Sequence, residues 1–236
     1  MVRTYQPKSE SLKEYMKNMD DLWYFEYIIE NGTAEFKQNN SVFLETFEKE
    51  GGEEDLEAAE FLKKTKAKGY FLMHFVRRQS FIFQIHIFEY FLMSLIREIY
   101  LHDIRPLKTQ EKKLDYETLL SFSDMAELKN GLIEREVFAL GNQSYLDIDK
   151  YFKQKFKIDI SKKKMEKIDE LFHIRNILVH NNGIVDKTFV DRFKKGKYKI
   201  GKKVYIDATL LERTHRVLTA SARTADEEVY KKFLSK

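Results

Sequence analysis

Between Tyr70 and Leu101 the chain contains no glycine, proline, asparagine or aspartate. Strands of globular proteins run about 3–10 residues before a turn, so an apolar-rich stretch of this length without a turn residue predicts one long helix. Its middle, Phe83-Gln84-Ile85-His86-Ile87, alternates as a strand would. The missing turn signals on either side outweigh that local pattern. The scarcity is general: nine Gly and two Pro serve 236 residues, too few for a sandwich or barrel, which needs a turn every 8–12 residues or so. The expected fold class is therefore all-α, mainly a helical bundle.

Punctuation elsewhere divides the remaining helices. A first one is expected to start at Ser9 or Ser11 as N-cap, to pass Leu12, Met16, Met19, Trp23 and Tyr27, and to stop at Asn31-Gly32. Gly51-Gly52 makes a break, and helix resumes near Glu54, with Gly69 as a place to bend. Asp103 to Pro106 ends the long apolar element. Further helices are expected over Lys112 to Lys129 and Asp147 to Phe156. Another, from Lys162 to His180, is capped by Ser161 and stopped by Asn181-Asn182-Gly183, residue types that tolerate a left-handed conformation. A short helix over Asp186 to Phe193 and a last one after Asp207 complete the set. Tyr198 to Ile206, built around Gly201, reads as a small β-hairpin or extended arm. The expected division is an acidic helical region over 1–60, packed on the rest, and a main helical domain over 61–236.

Composition narrows the chemistry. The absence of cysteine removes disulfides, thiolate-bound zinc, iron–sulfur clusters and thiol nucleophiles, and suits a reducing cytoplasm. The first ten residues lack the apolar core of a secretory signal. The apolar stretch from Phe71 to Tyr100 is interrupted by Arg77, Arg78, Gln79, Gln84, His86 and Glu89. A membrane span needs about 18–20 nearly uncharged residues, so a buried helix is expected and no membrane partner. His74, His86, His102 and His215 show no metal-ligand spacing, and neither a phosphate-binding glycine loop nor a nucleophile elbow occurs, so no metal or cofactor is expected.

The net charge of +4 hides an asymmetry. Residues 1–60 carry 15 acidic and 6 basic side chains, a balance of −9, whereas 150–203 carry 17 basic and 6 acidic, a balance of +11. Arg192, Lys194, Lys195, Lys197, Lys199, Lys202 and Lys203 form a run without one acid. Such a stripe is the footprint expected for nucleic-acid phosphate; the plain alternative is a solvated lysine surface. The acidic region either masks this stripe or simply adds helices to the bundle, and the burial that Trp23, Phe25, Tyr27 and Ile28 demand favours the latter.

The helix over 162–180 carries the chemistry. Ile168, Leu171, Phe172, Leu178 and Val179 fall on one apolar stripe, with Arg175 in its midst. A guanidinium placed there must pair or line a cleft. His173, Asn176 and His180 recur on the neighbouring face. Arg175 and His180 lie five apart, about 140° around an ideal helix, so two copies facing across a twofold axis would bring them together better than one.

The string Arg175-Asn176-Ile177-Leu178-Val179-His180 resembles the R-x4-6-H signature of the HEPN superfamily. Its continuation, Asn181-Asn182-Gly183-Ile184-Val185-Asp186, resembles prokaryotic HEPN proteins of defence and toxin systems. A second R-x4-H string, Arg97 to His102, runs on into Asp103-Ile104-Arg105-Pro106 instead and is taken as a decoy. The resemblance covers about 168–186 and is compatible with 71–234, where a long helix bearing Glu89 precedes the motif helix; residues 1–60 resemble nothing. It implies a helical homodimer and a metal-independent endoribonuclease acting on RNA, with an antitoxin or nucleotidyltransferase as partner. It also implies the roles: Arg175, His180 and Asn176 catalytic, Asn176 by orienting His180 or holding a non-bridging oxygen, with Glu89 and Asn181 in support. The charge stripe adds Lys194, Lys195, Lys197, Lys199, Lys202 and Lys203 as the residues expected to hold RNA. The alternative is an inactive HEPN scaffold that binds RNA or a protein. For the residues themselves, the structural alternatives are an Arg175 salt-bridged to Glu89, a His180 bonding its own helix end, and an Asn-Asn-Gly that only caps. The aromatic residues Phe71, Phe75, Phe81, Phe83, Phe88, Tyr90 and Phe91 are expected in the core or a dimer interface.

Overall fold

The computed structural model describes residues 5–50, 53–108, 113–141, 143–193 and 198–235, and within them the side chains other than those of 36–37, 39–50, 53–59, 61–71 and 163. The fold is all-α: α1 (Glu10–Glu50), α2 (Glu53–His102), α3 (Tyr116–Leu120), α4 (Met125–Gly141), α5 (Tyr145–Tyr151), α6 (Met165–His180), α7 (Lys187–Arg192) and α8 (Ala208–Val229). Among the described residues there is no strand, only an isolated bridge between Ile184 and Lys203.

Helices α1 and α2 form a hairpin, and α8 packs against both; α4 and α6 lean on α2, and α5 on α6. One core runs through all of them, from Leu12 and Tyr15 of α1, through Phe81, Phe88, Phe91 and Leu95 of α2, to Ile168 and Leu171 of α6 and Leu218 and Val229 of α8. Each such side chain contributes about 1.5–3 kcal/mol by leaving water. By length and composition Leu72–His102 passes as a membrane span, and half of its apolar window is buried inside the bundle.

The N-terminus is anchored by a buried carboxylate. Asp226 of α8 accepts hydrogen bonds from the Tyr5 hydroxyl (2.8 Å) and from the amides of Lys8 (3.0 Å) and Ser9 (2.8 Å). The Ser9 hydroxyl accepts the Leu12 amide at 3.1 Å, so Ser9 is the N-cap. Leu12, Tyr15 and Met19 are fully enclosed, and the division expected at 60/61 falls inside α2.

Several expected boundaries move. Helix α1 does not stop at Asn31-Gly32 but continues to Glu50. The Asn31 side-chain amide donates to the Tyr27 carbonyl (2.7 Å) and the Thr33 hydroxyl to that of Ile29 (2.6 Å), each one turn back along the helix. Packing along α2, including Arg77–Glu30 at 2.5 Å, outweighs the cost of about 1 kcal/mol that an exposed helical glycine carries. Likewise α2 passes through Gly69 as helix; Gly51-Gly52 lie outside the described residues. The helix expected over 112–129 is instead two, because Asp115 and Asp124 each cap a new start: Asp115 accepts from Thr118, and Asp124 from Ala126 and Glu127. The Ser161 hydroxyl does not cap the motif helix. It donates to Asp159, and a 3-10 turn over Lys162–Lys164 precedes α6. The segment 198–206 is an extended arm rather than a hairpin, and its backbone partners come from outside it, as described next.

Candidate functional site: the C-terminal end of α6

Helix α6 buries a wider arc than one stripe. Ile174 and Ile177 are enclosed along with Ile168, Leu171, Phe172 and Leu178, because α2, α5 and α8 surround it. Val179, expected in the core, is half exposed. Two buried carboxylates of α6 tie the helix to its neighbours. Asp169 pairs with Arg192 of α7 at 2.9 Å, and Glu170 accepts the Tyr198 hydroxyl at 2.7 Å and lies 3.4 Å from Arg213 of α8. His173 is tied down too, its Nδ1 at 2.9 Å from the Asp169 carbonyl and its ring edge-on to Phe193.

Arg175 lies at the seam between α6 and α2, where it forms an ion pair with Glu89 and covers the Phe172 ring. Both side chains keep about a quarter of their surface exposed, 23% and 25%. The Arg175 Nε is buried without an acceptor. Burial pushes the Glu89 carboxyl above the usual carboxylate range, with Arg175 and His86 pulling it back down. Asn176 and His180 are exposed, as is Val179 between them. Among the described residues no hydrogen bond joins Arg175, Asn176 and His180 within one chain, and for Arg175 and His180 that accords with their angular separation. The exposed face continues onto α2, where Leu72, Phe75, Phe83 and Tyr90 are about half exposed, while Phe81, Phe88 and Phe91 are enclosed; Phe71 lies outside the described side chains.

The helix ends as its Asn-Asn-Gly requires. The amides of Asn181 (3.0 Å) and Gly183 (2.8 Å) both donate to the Ile177 carbonyl, and Asn182 and Gly183 are left-handed, with φ of 50° and 79°. The Asn181 side-chain amide donates to the Ile184 carbonyl at 2.7 Å. Gly183 is needed twice over: its φ disfavours any Cβ, and a Cβ would stand 3.3 Å from Leu178. Arg78 of α2 completes the cap, donating to the Leu178 carbonyl and, at 3.0 Å, to the Asn182 side-chain oxygen. Sequence reasoning passes over Arg78 as a mere interruption of an apolar run. Its only signal is a cation in a helix that is otherwise core.

The basic arm is fastened to this same end. Val185 donates to Lys202 (2.9 Å), Gly201 to Val185 (2.9 Å) and Val204 to Gly183 (2.9 Å), so residues 201–204 pair with 183–185. Lys199, Lys202 and Lys203 are exposed there; Lys194, Lys195 and Lys197 lie outside the described residues. Among the described residues no three His, Asp or Glu side chains group as a metal site. Set against known protein families, curated proteins and solved structures, the chain shows no match to any.

Proposed function

We propose that the chain is a HEPN-type, metal-independent endoribonuclease of a cytoplasmic prokaryotic defence or toxin–antitoxin system, acting as a homodimer. The observation that carries this is the joining of two features that were separate in the sequence: the exposed pair Asn176 and His180, and a lysine-bearing arm hydrogen-bonded to the turn three residues beyond. RNA held along Lys199, Lys202 and Lys203 would pass the end of α6.

The half-exposed apolar residues of α2 and Val179 of α6 are the surface that a twofold partner would cover. Pairing there sets the seam holding Arg175 of one protomer near the His180 of the other, which makes good the separation found within a chain. In the reaction the RNA 2′-oxygen attacks the neighbouring phosphorus and the bond to the 5′-oxygen breaks. His180 accepts the 2′-hydroxyl proton or supplies one to the departing oxygen. Arg175 neutralises the charge growing on the phosphorane, and Asn176 holds a non-bridging oxygen or orients His180. The products are a 2′,3′-cyclic phosphate and a 5′-hydroxyl.

Purified protein incubated with single-stranded or transfer RNA in EDTA is expected to cut it, and Arg175→Ala or His180→Ala to abolish cutting with the fold intact by circular dichroism. Cutting by both variants at the wild-type rate would rule the site out. One observation favours a second reading: in the single chain Arg175 is already engaged by Glu89. A protein that uses this pair only to fix α6 on α2 would be an inactive scaffold binding RNA or a protein, and the wild type would then cut nothing.

A further inference from the structure

A cleft opens beside the capped end of α6. It has a volume of about 230 Å³ and is lined by His74 and Arg78 of α2, Leu178 and Asn182 at the end of α6, and Lys203 and Tyr205 of the arm. Among the described residues no carboxylate lines it. The larger groove along α8, about 590 Å³, differs in this respect, because Glu212 and Glu227 there offset Arg216 and Arg223.

Three details give the cleft its chemistry. Arg78 spends donors on the Leu178 carbonyl and Asn182, which offsets the partial negative charge of the helix end. Those two bonds use one hydrogen on each terminal nitrogen, and each terminal nitrogen carries a second, so the guanidinium keeps donors that the protein leaves unused. Lys203 adds a full positive charge, exposed and facing no acid in the cleft. Tyr205 is 58% exposed yet held in place, its hydroxyl 3.2 Å from His74 Nε2 and its ring edge-on to the imidazole at 4.7 Å. An immobilised aromatic ring open to solvent, next to two cations, is the combination that single-stranded nucleic acid uses: a surface for a base and charge for its phosphate.

We infer that this cleft is a nucleotide-binding subsite, in which Tyr205, steadied by His74, stacks on one unpaired RNA base while Arg78 and Lys203 hold the adjoining phosphate. The inference rests on RNA being the substrate of the neighbouring Arg175–His180 site and adds where that RNA is gripped. It places a base-recognition pocket two residues from His180 on either side in sequence, at Leu178 and Asn182, so the subsite positions the strand relative to the bond that breaks.

The test is binding of a fluorescein-labelled 2′-O-methyl oligouridine of about 12 nucleotides, which cannot be cut at its 2′-oxygen, to the intact chain. Tyr205→Ala is expected to weaken binding about tenfold, the loss of one stacked base, and Tyr205→Phe to stay close to wild type because the ring survives. Lys203→Ala is expected to weaken binding and to lower the salt slope by about 0.7. In parallel, uridine monophosphate is expected to shift the His74 and Tyr205 ring resonances. Wild-type affinity and salt slope in both Tyr205→Ala and Lys203→Ala would overturn the subsite. If RNA is cut and the nucleotide leaves His74 and Tyr205 unmoved, the nuclease reading stands and the subsite falls. If the nucleotide moves both rings while no RNA is cut, the subsite stands and the nuclease reading falls.

Discussion

Arg97 and His102 have the same spacing as Arg175 and His180, and the two pairs sit in unlike surroundings. Arg97 makes a two-pronged contact with Glu134 of α4, at 2.5 and 2.7 Å, on the surface. The next turn belongs to Asp103, whose carboxylate holds Arg105. Both arginines there are satisfied by a carboxylate at the surface. Arg175 has one carboxylate partner, a buried nitrogen without an acceptor, and a partner acid whose ionisation is disfavoured by burial. His180 is followed by a left-handed turn to which a basic arm is pinned. Spacing alone thus carries little; a satisfied ion pair and an under-satisfied one at the same spacing do different things.

The widest separation between the two pairs should come from catalysis. Arg175→Ala or His180→Ala is expected to lower single-turnover RNA cleavage by about 10²–10⁴-fold, and Arg97→Ala or His102→Ala to leave it unchanged. Equal losses from both pairs would erase the distinction. Next comes Gly183→Ala, which forces a Cβ into a left-handed residue against Leu178. A drop of about 1–2 kcal/mol in urea unfolding is expected, together with slower cleavage, since the arm hangs from this turn. Arg78→Ala is expected to cost about 1–2 kcal/mol, by uncovering the Leu178 carbonyl. Removing the charges of Lys199 and Lys202 together is expected to flatten the salt dependence of RNA binding by about 0.7 for each phosphate no longer neutralised, with the rate at saturating RNA kept.

The smallest effect is one of pH. Burial raises the folded-state pKa of Glu89 above its unfolded value, so the fold binds this proton more tightly than the open chain does. The stability this contributes is complete below the ordinary glutamate pKa and is lost as pH rises through the raised value. Glu89→Gln, which cannot ionise, should therefore gain on wild type in denaturant midpoint across that interval. For Glu134, whose pair with Arg97 lowers its pKa, Glu134→Gln should move oppositely: it gives up stability that wild type holds above the unfolded glutamate pKa. Parallel trends in the two variants would break the comparison.

The helical class, the cap at Asp207 and a cap at Ser9 or Ser11 were legible because each depends on a few adjacent residues: Asp207 accepts Leu210 across three positions, as Asp186, read only as a helix start, accepts Phe189. What stayed hidden depends on distant partners. Nothing near Gly32 says that α2 will support α1 past it. The arm at 198–206 looks able to fold on itself, and only the turn at Gly183 shows where its hydrogen bonds go. At the candidate site, Arg175, Asn176 and His180 could be read off one helix, and their resemblance to a known motif raised the pairing of Arg175 with Glu89 of α2 as an alternative. His74, Arg78 and Tyr205 come from elements 100 residues or more away from one another or from the cap they serve, and no local pattern brings them together.

Arg77 and Arg78 are consecutive, yet they face different neighbours: Arg77 grips Glu30 of α1, and Arg78 grips the end of α6. Together they make a fulcrum. The part of α2 before them, from Glu53, is about 35 Å of helix at 1.5 Å per residue, in the hairpin with α1. A tilt of about 5° at the fulcrum sweeps the far end through about 3 Å. By the same leverage, a weak push at that end arrives at Arg78 with its displacement reduced and its force multiplied.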